Sequence, residues 1–133
     1  MKKIFIGVIL LLLMVSGCSG EVAVLSIGYE EKRTDTSLGG TYEEYSGEIW
    51  QNISLKESDI VTISYILENE EGVIDFQIVD PNSNPLYDAK LDDGGNKEVG
   101  EFSFGVAGAG EYKIKVHPQD SKNGTFEVNW NIG

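Results

Sequence analysis

One cysteine, one histidine and three prolines in 133 residues leave little of the equipment that many sites need. Cys18 has no second cysteine to pair with, so an intrachain disulfide is excluded. One histidine and one thiol supply too few nitrogen and sulfur ligands for a zinc site. A Ser-His-Asp triad would have to use His117, and no Gly-x-Ser-x-Gly elbow is present to carry its nucleophile. His117 reads instead as a surface histidine beside the His117-Pro118 turn. Positive charge is also scarce: 10 Lys and Arg stand against 22 Asp and Glu, for a net charge of −12. Such a surface repels nucleic-acid phosphates and anionic lipid headgroups. No segment holds a helical period with caps. The one long apolar run, Ile4 to Val15, is shorter than the roughly 20 residues a membrane-spanning helix needs.

That run is framed by Lys2-Lys3 before it and Val15-Ser16-Gly17-Cys18 after it. A basic start, a short apolar core and small residues at the cut make a secretory signal peptide. The closing four residues resemble a prokaryotic lipobox, in which the cysteine is lipidated and becomes the first mature residue. The resemblance implies that residues 1–17 are removed and that Cys18 is the lipid-attachment site. It also implies a protein held to the cell membrane or envelope by its anchor, outside the cytoplasm. A two- or three-chain anchor gives the stable attachment that one acyl chain cannot. Loss of Lys2 and Lys3 makes the mature chain still more acidic, and residues 18–133 amount to one domain.

Within 18–45, residues Val22 to Ile27 can make a first strand. The polar stretch 28–45, with Gly39-Gly40, reads as a tether or long loop. From Ser46 the period becomes two. Ile49, Ile53 and Leu55 share one parity, as do Val61, Ile63, Tyr65 and Leu67, then Ile74, Phe76 and Ile78. Phe102, Phe104 and Val106 follow, then Tyr112, Ile114 and Val116, and finally Phe126, Val128, Trp130 and Ile132. Alternation puts one face of each strand in a core and the other in water. Turn residues divide the runs at Glu57-Ser58-Asp59, Asn69–Gly72, Asp80–Pro85, Asp92–Asn96 and Gly108–Gly110, with Asn123-Gly124 predicted to close the last hairpin. About seven or eight short strands with such turns predict an all-β fold: one antiparallel, jelly-roll-like β-sandwich over 46–133.

Three pieces of this region resemble GOLD-type sandwiches and the similar bacterial pre-peptidase C-terminal domains. They are Ile74-Asp75-Phe76-Gln77-Ile78-Val79-Asp80-Pro81, Gly100-Glu101-Phe102-Ser103-Phe104, and Gly110-Glu111-Tyr112-Lys113-Ile114-Lys115-Val116. The resemblance implies a sandwich fold and a non-catalytic protein-interaction module, with an envelope protein as partner. The cysteine pair, coiled coil and membrane span of the eukaryotic cargo receptors do not follow Cys18, so cargo sorting is not carried over.

Two further sets of residues could hold a ligand. Trp50 has the parity opposite to Ile49, and with Tyr42, Tyr45 and Tyr87 it could present aromatic faces to a sugar. On that alternative the domain binds a carbohydrate or wall polymer through Trp50 and Tyr87; otherwise Trp50 covers a secondary cluster under the tether. Asp88, Asp92, Asp93 and Asn96 could gather oxygens for calcium around Gly94-Gly95, although the loop lacks EF-hand spacing. Turn formation alone also accounts for them. No enzyme is predicted: the doublets Glu30-Glu31, Glu43-Glu44, Glu70-Glu71 and Asp92-Asp93 read as solvated loops. No cofactor is expected beyond the covalent lipid. Asn52 and Asn123 lie in Asn-x-Ser/Thr sequons, expected by chance in a chain of this composition.

Overall fold

A computed structural model describes residues 19–133; the expected signal peptide and lipid-attachment residue Cys18 lie outside the described residues. Among these residues there are eight strands and no helix. They are β1 (Ser19–Ile27), β2 (Glu30–Thr34), β3 (Ser37–Leu55), β4 (Ile60–Glu68), β5 (Glu71–Val79), β6 (Pro85–Leu91), β7 (Lys97–Gly105) and β8 (Gly110–Ile132). All eight pair antiparallel within one hydrogen-bonded network.

Two strands turn this network into two layers. β3 has 19 residues and β8 has 23, far beyond the usual strand of about 5–6. They run side by side along their length, with an irregular register between Tyr45 and Ile49. Before that point, β3 pairs β2 on one side and the second half of β8 on the other. Beyond it, β3 pairs β1 and the first half of β8. β8 then hands its first half to β5 and its second half to β4. The first sheet is therefore β2–β3–β8–β4–β7, and the second is β1–β3–β8–β5–β6. At the corner the Ser46 hydroxyl accepts from the Asp120 amide at 2.8 Å, and Asp120 and Asn123 take positive φ of 49° and 50°.

The core follows the alternation, except that Ile132 is exposed and Ile53, Phe102 and Phe104 are only partly buried. Ile49, Val61, Ile63, Leu67, Ile74, Phe76, Ile114, Val116, Phe126 and Val128 are fully buried between the sheets. Burying each such side chain contributes about 1.5–3 kcal/mol. Trp130 belongs to this core as its phase requires. Gly110-Glu111-Tyr112 serves a local purpose: the Tyr112 hydroxyl donates to the Gly108 carbonyl at 2.8 Å and ties down the turn before β8.

Two expectations are corrected. The segment 28–45 is not a tether. It forms β2 and the first half of β3, and it buries Leu38, Tyr42 and Tyr45. Asn123-Gly124 closes no hairpin: the predicted last two strands are one, because β8 bends with β3 from sheet to sheet. The positive φ at Asp120 and Asn123 kinks the strand without reversing it.

Candidate functional site

The outer face of the second sheet carries a convergence of polar side chains. Opposed residues of neighbouring strands point to the same face. One row therefore crosses all five strands: Gly20, Trp50, Lys115, Gln77 and Asp88. A second row beside it holds Asn52, Lys113, Val79 and Pro85. On the other side His117 faces Asp75, which faces Lys90.

Two depressions join along this face. One, of about 220 Å³, is lined by Glu48, Asp75, Gln77, Asp88, Lys115 and His117. The other, of about 400 Å³, is bounded by Asn52, Gln77, Asp80, Glu111, Lys113 and Lys115 among others. Gln77 and Lys115 belong to both, so the floor is continuous along β8.

Trp50 stands at the β1 side of this floor, half-buried. Its place depends on what β1 lacks. A Cβ on Gly20 would stand 2.3 Å from the indole Cζ2, so the ring rests against bare backbone. The Lys113 ammonium lies 5.6 Å from the ring centroid, a cation–π distance. Lys115 pairs with Glu48 at 3.3 Å, and the Gln119 amide donates to Asp75 at 2.8 Å. From behind, Arg33 on β2 spans the two sheets. Its Nη1 donates to the Trp50 carbonyl at 3.0 Å and to Gln51 Oε1 at 2.8 Å, while its Nε pairs with Glu31 at 2.5 Å. Arg33 thereby holds the stretch of β3 that presents Trp50. Nothing in the sequence marked Arg33, Lys113 or Lys115; the signal available was that they interrupt strands with cations in a chain short of them.

The predicted residues divide. Trp50 lies on the outer face, as its parity implies. Tyr87 does not join it: it opposes Ile78 on the inner face, stacks on Phe102 at 4.5 Å and shares a 2.7 Å hydrogen bond with the Tyr65 hydroxyl. Tyr42 and Tyr45 are also buried, not exposed. An aromatic row of Trp50 with Tyr42, Tyr45 and Tyr87 is therefore not formed. The reason is that β6 packs its Tyr87 parity inward, and that the supposed tether is core strand.

Asp88 lies on the outer face, apart from Asp92, Asp93 and Asn96 in the β6–β7 loop. In that loop Asp93 Oδ1 accepts from the Gly72 amide at 2.8 Å and the Asp92 carbonyl from the Gly95 amide at 2.8 Å. Asn96, at φ 69°, gives its carbonyl to the Asn69 amide at 3.1 Å. Each residue has a turn-building role. Among the described residues no three His, Cys, Asp or Glu side chains gather as a metal site. Cys18 lies outside the described residues. His117-Pro118 makes no turn: both residues lie within β8, paired to Asp75 and Ile74, and His117 borders the smaller depression.

Comparison with known proteins finds no matching family model and no curated relative for the sequence. Solved structures do share the fold. The N-terminal cellulose-binding domain of a β-1,4-glucanase from Cellulomonas fimi aligns with a TM-score of 0.51 at 11% identity, over 86% of this chain and 88% of that one. TmCBM61, solved in complex with β-1,4-galactotriose, aligns at 0.50 with 16% identity, over 72% and 70%. The periplasmic inhibitor of g-type lysozyme from Aeromonas hydrophila aligns at 0.50 with 13% identity, over 80% and 95%. At these identities the likeness establishes the fold, an antiparallel β-sandwich. The GOLD resemblance finds no counterpart among these three.

Proposed function

We propose that this chain is a non-catalytic glycan-binding module of the cell envelope, and that the glycan lies along the outer face of the second sheet. The observation that carries the proposal is the continuous polar floor running from Trp50 across Lys115 and Gln77 to Asp88. Sugars are bound by stacking of their apolar faces on aromatic rings and by hydrogen bonds to their hydroxyls. This face offers amide and ammonium donors and carboxylate acceptors in one groove on rigid strands, with an indole beside it. Two of the similar folds, the cellulose-binding domain and TmCBM61 with its galactotriose, bind such ligands, which supports the reading. The proposal does not invoke calcium.

The test is retention of residues 19–133, which contain all eight strands, on a panel of neutral and acidic polysaccharides. Binding lost in Trp50→Ala, with the fold unchanged, is the expected result. Binding indifferent to Trp50 removes this face from consideration. The anchor is a separate proposal: lipid on Cys18 holds the domain to the membrane. Cys18→Ala is then expected to move the full-length protein from the membrane to the soluble fraction.

A protein-interaction reading has its own observation. β1 is an edge strand with Val22, Val24, Leu25 and Ile27 exposed, Val24 to 91%. It carries none of the lysines or prolines that guard β2 and β6, so a partner's strand could add to it. The lysozyme inhibitor of similar fold supports this second reading.

A further inference from the structure

We infer that the glycan is carboxylated: a uronic-acid ring packs beside Trp50 and its carboxylate is held by Lys113. The inference rests on the glycan-binding reading and narrows it. Lys113 is set where such a group would need it, with its ammonium 5.6 Å from the indole centroid on the neighbouring strand. The indole has little freedom to move away, because it rests on the Gly20 backbone and its own carbonyl is held by Arg33. A sugar ring set beside the indole reaches Lys113 with whatever it carries on its edge.

The charges around Lys113 are already engaged, and Lys113 is not. Asp80 accepts from the Asn82 and Asn84 amides at 2.9 and 2.8 Å, which closes its own turn. Glu111 accepts from the Ser54 hydroxyl. Glu48 pairs with Lys115 across the strands. Lys113 makes no ion pair among the described residues, and its ammonium lies over the face of Trp50. An ammonium has three donors, and a π-face leaves most of them for a ligand.

The rest of the molecule sharpens the selection. With 22 acidic against 10 basic residues, the surface repels a carboxylate almost everywhere. An anionic glycan is tolerated only in the register that seats its charge on Lys113, with Lys115 beside it. At the other end of the groove Asp75 and Asp88 line the smaller depression, so hydroxyls are accepted there and a second carboxylate is rejected. The smaller depression is the more acidic end of the groove, whereas in the larger one Lys113 and Lys115 stand against Asp80 and Glu111.

The experiment is calorimetric titration of residues 19–133 with galacturonate, alginate and hyaluronan oligomers, each paired with its methyl ester, and with neutral galactan and β-glucan oligomers. We expect at least one carboxylated oligomer to bind at least tenfold more tightly than its ester, with the difference shrinking as salt is raised. Lys113→Met should abolish that difference, Lys113→Arg should largely restore it, and Trp50→Ala should weaken acid and ester alike. Equal affinity for acid and ester, an unaffected Lys113→Met, or binding of neutral oligomers alone overturns the carboxylate assignment while glycan binding stands. No binding to any oligomer overturns both.

Discussion

Ser121 and Asn69 are the buried polar residues of the described chain, and each completes the other. Ser121 shares a 2.7 Å hydrogen bond with the Tyr42 hydroxyl and accepts from Asn69 Nδ2 at 2.8 Å. Removing the Ser121 hydroxyl strands a buried phenol and one of the two Asn69 amide donors, the other reaching the Gly72 carbonyl at 3.1 Å. Ser121→Ala is therefore expected to destabilise the domain by about 1–3 kcal/mol, read as a lower urea midpoint with an unchanged slope. Burial also holds tyrosines in their neutral form. It pushes Tyr42 up to about 12, against a weaker opposing effect of its bond to Ser121. Tyr45 is raised further by burial and by its 2.6 Å bond to Glu21, Tyr29 by burial and the neighbouring Glu31, and Tyr65 by burial and its bond to Tyr87. An acid whose folded value exceeds its unfolded value of about 10 stabilises fully below that pH and loses the contribution as pH rises through the folded value. Stability should hold up to about pH 10 and fall steeply toward pH 12. Tyrosinate absorbance for these four residues should appear together with loss of near-UV circular dichroism, not before it.

At the scale of the element, the glycines and edges make the sharpest demands. Gly72 opens β5 at φ 87°, and a Cβ there would stand 2.2 Å from the Asp120 carbonyl oxygen. The neighbour is backbone and cannot swing aside. Gly72→Ala should cost more than about 1 kcal/mol, from strain and from displacement of the β8 corner, measured by thermal or chemical unfolding. β1 poses the opposite case. Val24 touches almost nothing, so Val24→Lys should leave the unfolding midpoint within about 0.5 kcal/mol while reducing any concentration-dependent association seen by sedimentation. The elements also show what was legible in the sequence. Period two identified the strands from Ile49 onward and the buried set Val61 to Leu67, because each alternates cleanly against water. The segment 28–45 hid its strands because Glu30, Lys32 and Thr34 lie on an exposed edge and Gly39-Gly40 mimic a loop. The alternation of Leu38, Gly40 and Tyr42 was present, with glycine at the middle core position. Asn123-Gly124 has the composition of a hairpin, and only the pairing of β8 with bent β3 shows that the chain does not reverse.

For the whole molecule, the two sheets exist because two long strands serve both. That arrangement is non-local, and no local pattern encodes it. The same pairing decides the site. Trp50 was legible as an outward residue from parity alone, but Lys115, Gln77 and Asp88 join it only through registers that link four strands far apart in sequence. Tyr87 failed as a partner for the same reason, since its parity matters only once β6 is placed against Ile78. The cations at the groove stand out against a strongly acidic chain, so binding of an anionic ligand should weaken as ionic strength rises, whereas a neutral sugar should show little salt dependence. The central claim is that a glycan occupies the outer face of the second sheet. The most direct measurement is a ¹⁵N-resolved NMR titration of residues 19–133 with the tightest oligosaccharide from the panel. The indole N–H of Trp50 should shift with the amides of Lys113, Lys115 and Gln77, while the indole of Trp130 in the core stays in place. Shifts confined to β1, or an unmoved Trp50 in the presence of a bound sugar, would contradict it.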